Sequence, residues 1–240
     1  VEPENTRYFG VAYYTRDFHV PMEWKDLRVR IEFEGVFHSA WIFVNGATAG
    51  EHIGKGYTAF TLDISPHLQF GTRNTIDVRV DNSFSDRMLP FGKSSDWAHD
   101  GGIYRPVTLL MSPTAFVDSV AIQAVPSLSN GMATVSVTAT LANTDLAVRG
   151  ATVRCRIIDE ANGFSVLEWY SPEKRDLYRG SPEAFVMPPA ILPRPRLWHC
   201  DRPQLYQLET QLWANGRLIH AHREPFGIRL FEIRDGGFFL

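Results

Sequence analysis

Hydrophobic and polar positions alternate with a period of two along most of the chain. In Arg28-Val29-Arg30-Ile31-Glu32-Phe33-Glu34 charge alternates with apolar bulk, which predicts a strand buried on one face. Asn74 to Asn82 repeats the pattern, with Ile76, Val78 and Val80 opposite Asp77, Arg79 and Asp81. From Ala133 to Leu141 apolar residues alternate with Thr134, Ser136, Thr138 and Thr140. Val153, Cys155 and Ile157 oppose Arg154 and Arg156, and Tyr206, Leu208, Thr210 and Leu212 alternate with Gln207, Glu209, Gln211 and Trp213. Asn45-Gly46 and Asn215-Gly216 follow such runs directly, and both suit two-residue hairpins whose central residues need φ > 0. Helical signals are confined to Met22–Leu27 and Ser65–Leu68, each long enough for one turn. The pattern predicts an all-β chain of sandwiches.

The outer faces change character near Met111–Phe116. Before it they are charged; after Ser112-Pro113 they become rich in Ser and Thr, which predicts two domains, 1–112 and 113–240. A length of 240 residues agrees, since a domain takes about 100–150. Ser181 to Pro195 holds five prolines and reads as a long irregular connection. The longest uncharged stretch, Ser119 to Thr144, is broken by Pro126, Asn130 and Gly131, so no membrane helix is expected there. A net charge of −3 without charge blocks gives no basis for a nucleic acid or membrane partner. Two cysteines make no disulfide scaffold, although a Cys155–Cys200 bond stays open, and no Cys/His cluster has zinc spacing. No metal or other cofactor is expected. Val1 opens without a signal segment and Phe238-Phe239-Leu240 closes on an apolar run, so the sequence reads as part of a longer chain of undecided compartment.

One stretch departs from the strand pattern. Asp81 to Arg105 runs for more than 20 residues between strands and carries Asp86, Arg87, Asp96, Trp97, His99 and Asp100. Carboxylates beside a Trp suit a sugar: the indole stacks on the ring and the carboxylates accept its hydroxyl protons. A plain solvated loop whose Asp residues form turns before Gly101-Gly102 explains the same composition. Asp96 and Asp100 as a hydrolytic acid/base pair have no other support, because exposed carboxylates lack the raised pKa of a general acid. No Gly-x-Ser-x-Gly elbow occurs, and His19, His38, His52, His67 and His99 stand singly.

Several motifs together resemble glycoside hydrolase family 2, the family of β-galactosidases, β-glucuronidases and β-mannosidases. Val29 to Val36, Ala40 to Gly46, Gly56-Tyr57-Thr58-Ala59-Phe60, Val78 to Asn82 and Gly101-Gly102-Ile103-Tyr104-Arg105-Pro106 are similar to its sugar-binding domain. Pro195 to Trp198, Pro203 to Tyr206 and Phe226-Gly227-Ile228-Arg229 are similar to its immunoglobulin-like domain. The resemblance implies a jelly-roll β-sandwich followed by an immunoglobulin-like β-sandwich. It also implies a TIM barrel that this sequence lacks, and with it both catalytic glutamates; no Asn-Glu dipeptide occurs. The chain is therefore expected to be the non-catalytic N-terminal part of a retaining β-glycosidase, inactive alone, with no catalytic residue of its own.

By the same resemblance an Asp seven residues before Ile103, Asp96, lies on a loop that reaches the sugar in the barrel's site. Asp100 is a rival, and Arg87 and Trp97 are further candidates for substrate binding at that rim. The implied partners are a β-galactoside or related glycoside and the parent chain's barrel; a homo-oligomer is compatible with the pattern but not indicated by it. Two alternatives stay open: a stand-alone carbohydrate-binding module with an aromatic platform drawn from the six tryptophans, and a structural tandem sandwich without ligand.

Overall fold

The computed structural model of the chain describes residues 8–85 and 101–239. They form two compact units, divided between Ser112 and Pro113, each with its own apolar core. Both are all-β sandwiches. Among the described residues the helical content is two single 3-10 turns, Met22–Trp24 and Ser65–His67, where the sequence offers one turn each. No described helix is long and apolar enough to cross a membrane.

The first unit begins with β1 (Val11–Val20), β2 (Arg28–Phe33), β3 (Val36–Phe37), β4 (Ser39–Val44) and β5 (Ala47–His52). It continues with β6 (Phe60–Asp63), β7 (Thr72–Asp81), β8 (Gly102–Ile103) and β9 (Val107–Ser112). One sheet has the order β1-β7-β4-β5, the other β6-β2-β9, and β3 pairs with β8. The alternating residues meet as expected: Val29, Ile31 and Phe33 share a core with Ile42, Val44, Ile76, Val78 and Val80. Asn45 and Gly46 take φ of 51° and 78° and close the two-residue β4–β5 hairpin.

The second unit opens with β10 (Ala115–Ser127), β11 (Met132–Asn143), β12 (Val148–Asp159), β13 (Ser165–Tyr170) and β14 (Arg175–Leu177). There follow β15 (Glu183–Val186), β16 (Ala190–Pro193), β17 (Tyr206–Ala214), β18 (Arg217–Phe226), β19 (Glu232–Arg234) and β20 (Gly237–Phe239). β13-β12-β17-β18 form one sheet, with β14 also on β12; β10-β11-β15 form the other, with β16 also on β11. Between the two lie Val135, Val137, Leu141, Val153, Ile157, Leu208 and Leu212.

The stretch from Ser181 to Pro195 corrects the sequence reading: it contains two strands. β15 pairs with the second half of the long β11 and β16 with its first half. The prolines mislead because none sits inside a strand. Pro188-Pro189 fill the gap between β15 and β16, and Pro193 ends β16, a placement that removes no interior ladder bond. Phe185 and Leu192 meanwhile enter the core. Cys155 lies fully buried and Cys200 is exposed; both are free thiols, so the bond left open above is not formed. Burial pushes the Cys155 thiol up to about 12, so it stays protonated and inert.

Candidate functional site

Asp96, Asp100, Arg87 and Trp97, and with them Asp86 and His99, lie outside the described residues. The structure does describe where their segment leaves the first sandwich and where it returns. The departing end is Asn82, which follows β7 and is buried. Its Nδ2 donates to the Tyr8 carbonyl at 2.8 Å, and its Oδ1 accepts from the Gly10 amide at 2.8 Å. Both bonds join residues just before β1 to the residue just after β7. Just before it, Asp81 accepts from the Ser83 amide at 2.9 Å and from Arg79 at 3.3 Å. Hydrogen bonds from Ser83 hold the Asp81 carboxyl below the ordinary aspartate range, with Arg79 adding to the effect.

The returning end packs against the departing one. A Cβ on Gly101 would fall 2.1 Å from Asn82 Nδ2, and one on Gly102 would fall 2.2 Å from the Tyr14 hydroxyl. Gly102 also takes φ of 91°, so this end admits no side chain on two separate grounds. Gly102 and Ile103 then pair with Phe37 and Val36. Tyr104 donates through its hydroxyl to the Gly56 carbonyl at 2.7 Å, and Gly56 lies so close to Phe37 that a Cβ would meet its ring at 2.2 Å. Phe37, Tyr57 and Tyr104 form a chain of ring contacts, with centroids 5.3 and 6.4 Å apart. Asn82 and Gly101, the residues that flank 83–100, thus meet at one point, each next to a strand: Asn82 follows β7 and Gly101 precedes β8.

The remaining sequence candidates are dispersed. His52 stacks on Phe60 at 4.1 Å, and its Nε2 lies 3.1 Å from both the Lys55 carbonyl and Thr58 Oγ1. Trp24 and Trp169 pack against the two cores. Arg79 covers the Trp41 ring at 4.2 Å, and Arg229 covers Trp198 at 4.9 Å. Trp213 lines a hollow of about 420 Å³ with Tyr170 and Arg154. None of these five tryptophans is more than half-exposed.

One feature of the second sandwich escapes the sequence reading. Glu209, placed by alternation on an outward face, is buried. Register sets Glu168, Arg156, Glu209 and Arg223 side by side across β13, β12, β17 and β18. Glu209 accepts from Arg223 Nε at 2.7 Å, Arg156 at 3.1 Å and the Gln211 amide at 2.8 Å. Burial pushes its carboxyl up, but these bonds and the two guanidiniums outweigh that and leave it below the ordinary glutamate range. Only the pairing of four strands reveals this rung; no local signal marks it.

Comparison with known proteins places these two sandwiches. Residues 1–113 match the sugar-binding domain of glycosyl hydrolases family 2, and residues 115–229 match a second domain of the same family. The β-galactosidase of Thermoanaerobacter pseudethanolicus is 31% identical over 97% of this chain and 30% of its own length. A β-glucuronidase of Bacteroides fragilis is 29% identical over 96% of the chain and 33% of its own. The crystal structure of a Bacteroides uniformis β-glucuronidase superposes with a TM-score of 0.84 at 30% identity, over 97% of this chain and 28% of that one. The chain thus spans about a third of the length of the relatives it matches. Successive sandwiches of the right size, the matched residues and the similarity across nearly the whole chain agree: the chain belongs to glycosyl hydrolase family 2, as its sugar-binding and immunoglobulin-like domains.

Proposed function

We propose that this chain serves as the N-terminal, non-catalytic part of a family 2 β-glycosidase, in carbohydrate degradation. It scaffolds a catalytic barrel and lends that barrel's sugar site one segment, 83–100. The observation that carries this reading is that Asn82 and Gly101, the residues flanking that segment, are braced against each other. A carboxylate delivered from a fixed base can orient a sugar ring without itself moving protons. Asp96 is assigned to that role, with Asp100, Arg87 and Trp97 beside it on the rim. A carboxylate accepting two sugar hydroxyls contributes about 1.5–3 kcal/mol. Against the cost of association, one such wall alone gives millimolar binding at best. Phe231, Ile233 and Phe238 support the scaffolding part: they are 59%, 71% and 75% exposed, and the two phenyl rings stack at 5.8 Å. An apolar cluster of this kind suits a protein partner.

The test has two arms. The chain alone, titrated by NMR with galactose, glucuronate, mannose and a β-galactoside up to about 50 mM, is expected to show no saturable binding tighter than millimolar. Micromolar binding would favour a stand-alone carbohydrate-binding module. In the second arm the chain replaces the matching third of the Thermoanaerobacter β-galactosidase. Asp96→Ala is expected to lower kcat/KM of that chimera by about tenfold to a hundredfold, with Asp100→Ala nearly neutral. The reverse order would transfer the role to Asp100.

A further inference from the structure

The chain contains four Asn-Gly pairs, which begin at Asn45, Asn130, Asn162 and Asn215. Such a pair can lose ammonia without an enzyme. The glycine nitrogen, giving its proton to a solvent base, bonds to the asparagine Cγ. The bond from Cγ to the side-chain nitrogen breaks, ammonia leaves and a five-membered imide remains. Water then opens that ring at either carbonyl, giving aspartate or isoaspartate. Glycine favours the step because no Cβ restricts its backbone. The step needs a side-chain amide free to turn and a following nitrogen free to lose its proton. Hydrogen bonds to either group oppose it, because they must first break in a local opening.

The fold treats the four pairs differently. Asn45 is tied at both ends of its amide: Nδ2 donates to the His67 carbonyl at 2.9 Å and to Asn74 Oδ1 at 2.7 Å, and Oδ1 accepts from the Thr75 amide at 3.0 Å. Asn130 Oδ1 accepts from the Met132 amide at 3.0 Å, and the Gly131 amide donates to the Ser127 carbonyl at 3.1 Å. Asn162 accepts from the Phe164 amide at 2.9 Å and donates to Asp159 Oδ2 at 3.3 Å, while the Gly163 amide donates to the Asp159 carbonyl at 2.7 Å. Asn215 is exposed, and among the described residues neither its side chain nor the Gly216 amide makes a hydrogen bond. From this contrast we propose that Asn215 is a site of spontaneous deamidation, with water as its co-reactant, and the first of the four to react.

Asn45 serves as an internal reference for backbone shape. Both it and Asn215 open two-residue hairpins with φ of 51°, followed by glycines at 78° and 71°. At either glycine a Cβ would meet nothing within 4 Å. With the turns matched in this way, the bonding of the side chain is what separates the two sites. The products also differ in consequence. Asn215 lines the hollow of about 420 Å³ that holds Trp213, Arg154 and Lys174. Aspartate there adds a negative charge beside Lys174 and Arg154, and it tolerates a left-handed backbone, so the hairpin keeps its path. Isoaspartate routes the main chain through the former side chain and lengthens a two-residue loop by one carbon. The pairing of Ala214 with Arg217, and of Trp213 with Leu218, then loosens.

The test incubates the reduced whole chain in mildly alkaline buffer at body temperature, with and without urea, until the urea-treated chain has converted. Peptide mapping by mass spectrometry follows the amide-to-carboxylate mass gain at each Asn-Gly pair and separates aspartyl from isoaspartyl peptides. Circular dichroism checks that the sample without urea stays folded. In the folded chain Asn215 is expected to convert about tenfold to a hundredfold faster than Asn45, whose three hydrogen bonds must open first, and ahead of Asn130 and Asn162. In urea the four rates should converge. Hydrogen exchange at Arg217 should be unchanged in Asn215→Asp and faster in the purified isoaspartyl chain. An intact Asn215 in the folded chain would overturn the proposal, as would an equal or faster rate at any of the other three. So would the same ranking in urea, because sequence neighbours rather than the fold would then set it.

Discussion

The two sandwiches differ in whether a charge joins the neutral groups among their buried polar side chains. The first uses neutral amides. Asn74, 1% exposed, accepts from Asn45 at 2.7 Å and from the Gln69 amide at 2.8 Å, and donates to the Gln69 and Thr72 carbonyls at 2.7 and 3.2 Å. Asn82 does the same for the base of the candidate segment. The second also encloses an amide, Asn143, which donates to the Leu146 and Leu177 carbonyls, and to this it adds charge, in the alternating Glu168–Arg156–Glu209–Arg223 rung. An amide both donates and accepts and carries no charge, so it can be enclosed at low cost where backbone groups surround it. A carboxylate only accepts, and it is tolerable at 4% exposure only because two guanidiniums and an amide face it. The first arrangement is therefore insensitive to pH, and the second is not.

Making an asparagine ionic breaks this contrast most sharply. Asn74→Asp places a carboxylate against two carbonyls it can no longer donate to. It is expected to cost the first sandwich about 3 kcal/mol or more at pH 7. Burial and the two facing carbonyls put the folded pKa of that Asp above its unfolded value. The loss is then full at neutral pH and shrinks as pH falls through the folded pKa, which urea melts between pH 3 and pH 7 would read. Asn82→Ala should cost about 2 kcal/mol, two hydrogen bonds, at every pH in that range. Hydrogen exchange at Gly10 and along the start of β1 would report it locally.

Glu209→Gln probes the other side, with the smallest expected effect, about 1–2 kcal/mol at pH 7, because the exposed end of Arg223 regains water. The Glu209 carboxyl sits below its unfolded value, so the stability it contributes is present above about pH 4.3 and lost as pH falls through the lower folded value. Wild type and variant should therefore converge on acidification. A constant gap would mean that packing, not ionisation, sets the contribution of Glu209.

Much of this protein was legible from residue order. Period-two alternation located β2, β7, β11, β12 and β17, because a strand half-buried in a sandwich has one face in water. Asn45-Gly46 and Asn215-Gly216 announced their hairpins, because few other pairs accept left-handed φ at both positions. The family motifs carried the assignment of both domains. The candidate segment was visible as an interruption of that pattern, and its charged and aromatic residues suggested sugar chemistry.

What sequence order left undecided depends on groups far apart in the chain or on backbone path. Two strands among prolines formed because β11 is long enough to pair with both, a fact about a partner some 50 residues away. Glu209 became a buried ion because strand register set two arginines beside it. Asn82 and Gly101 became the two ends of one brace through an approach so close that a Cβ on Gly101 would fall 2.1 Å from Asn82 Nδ2, and only folding creates it. Local pattern is set by which face meets water, and that is written in composition. Pairing, register and turn path are set by long-range packing, and those decided which polar groups meet.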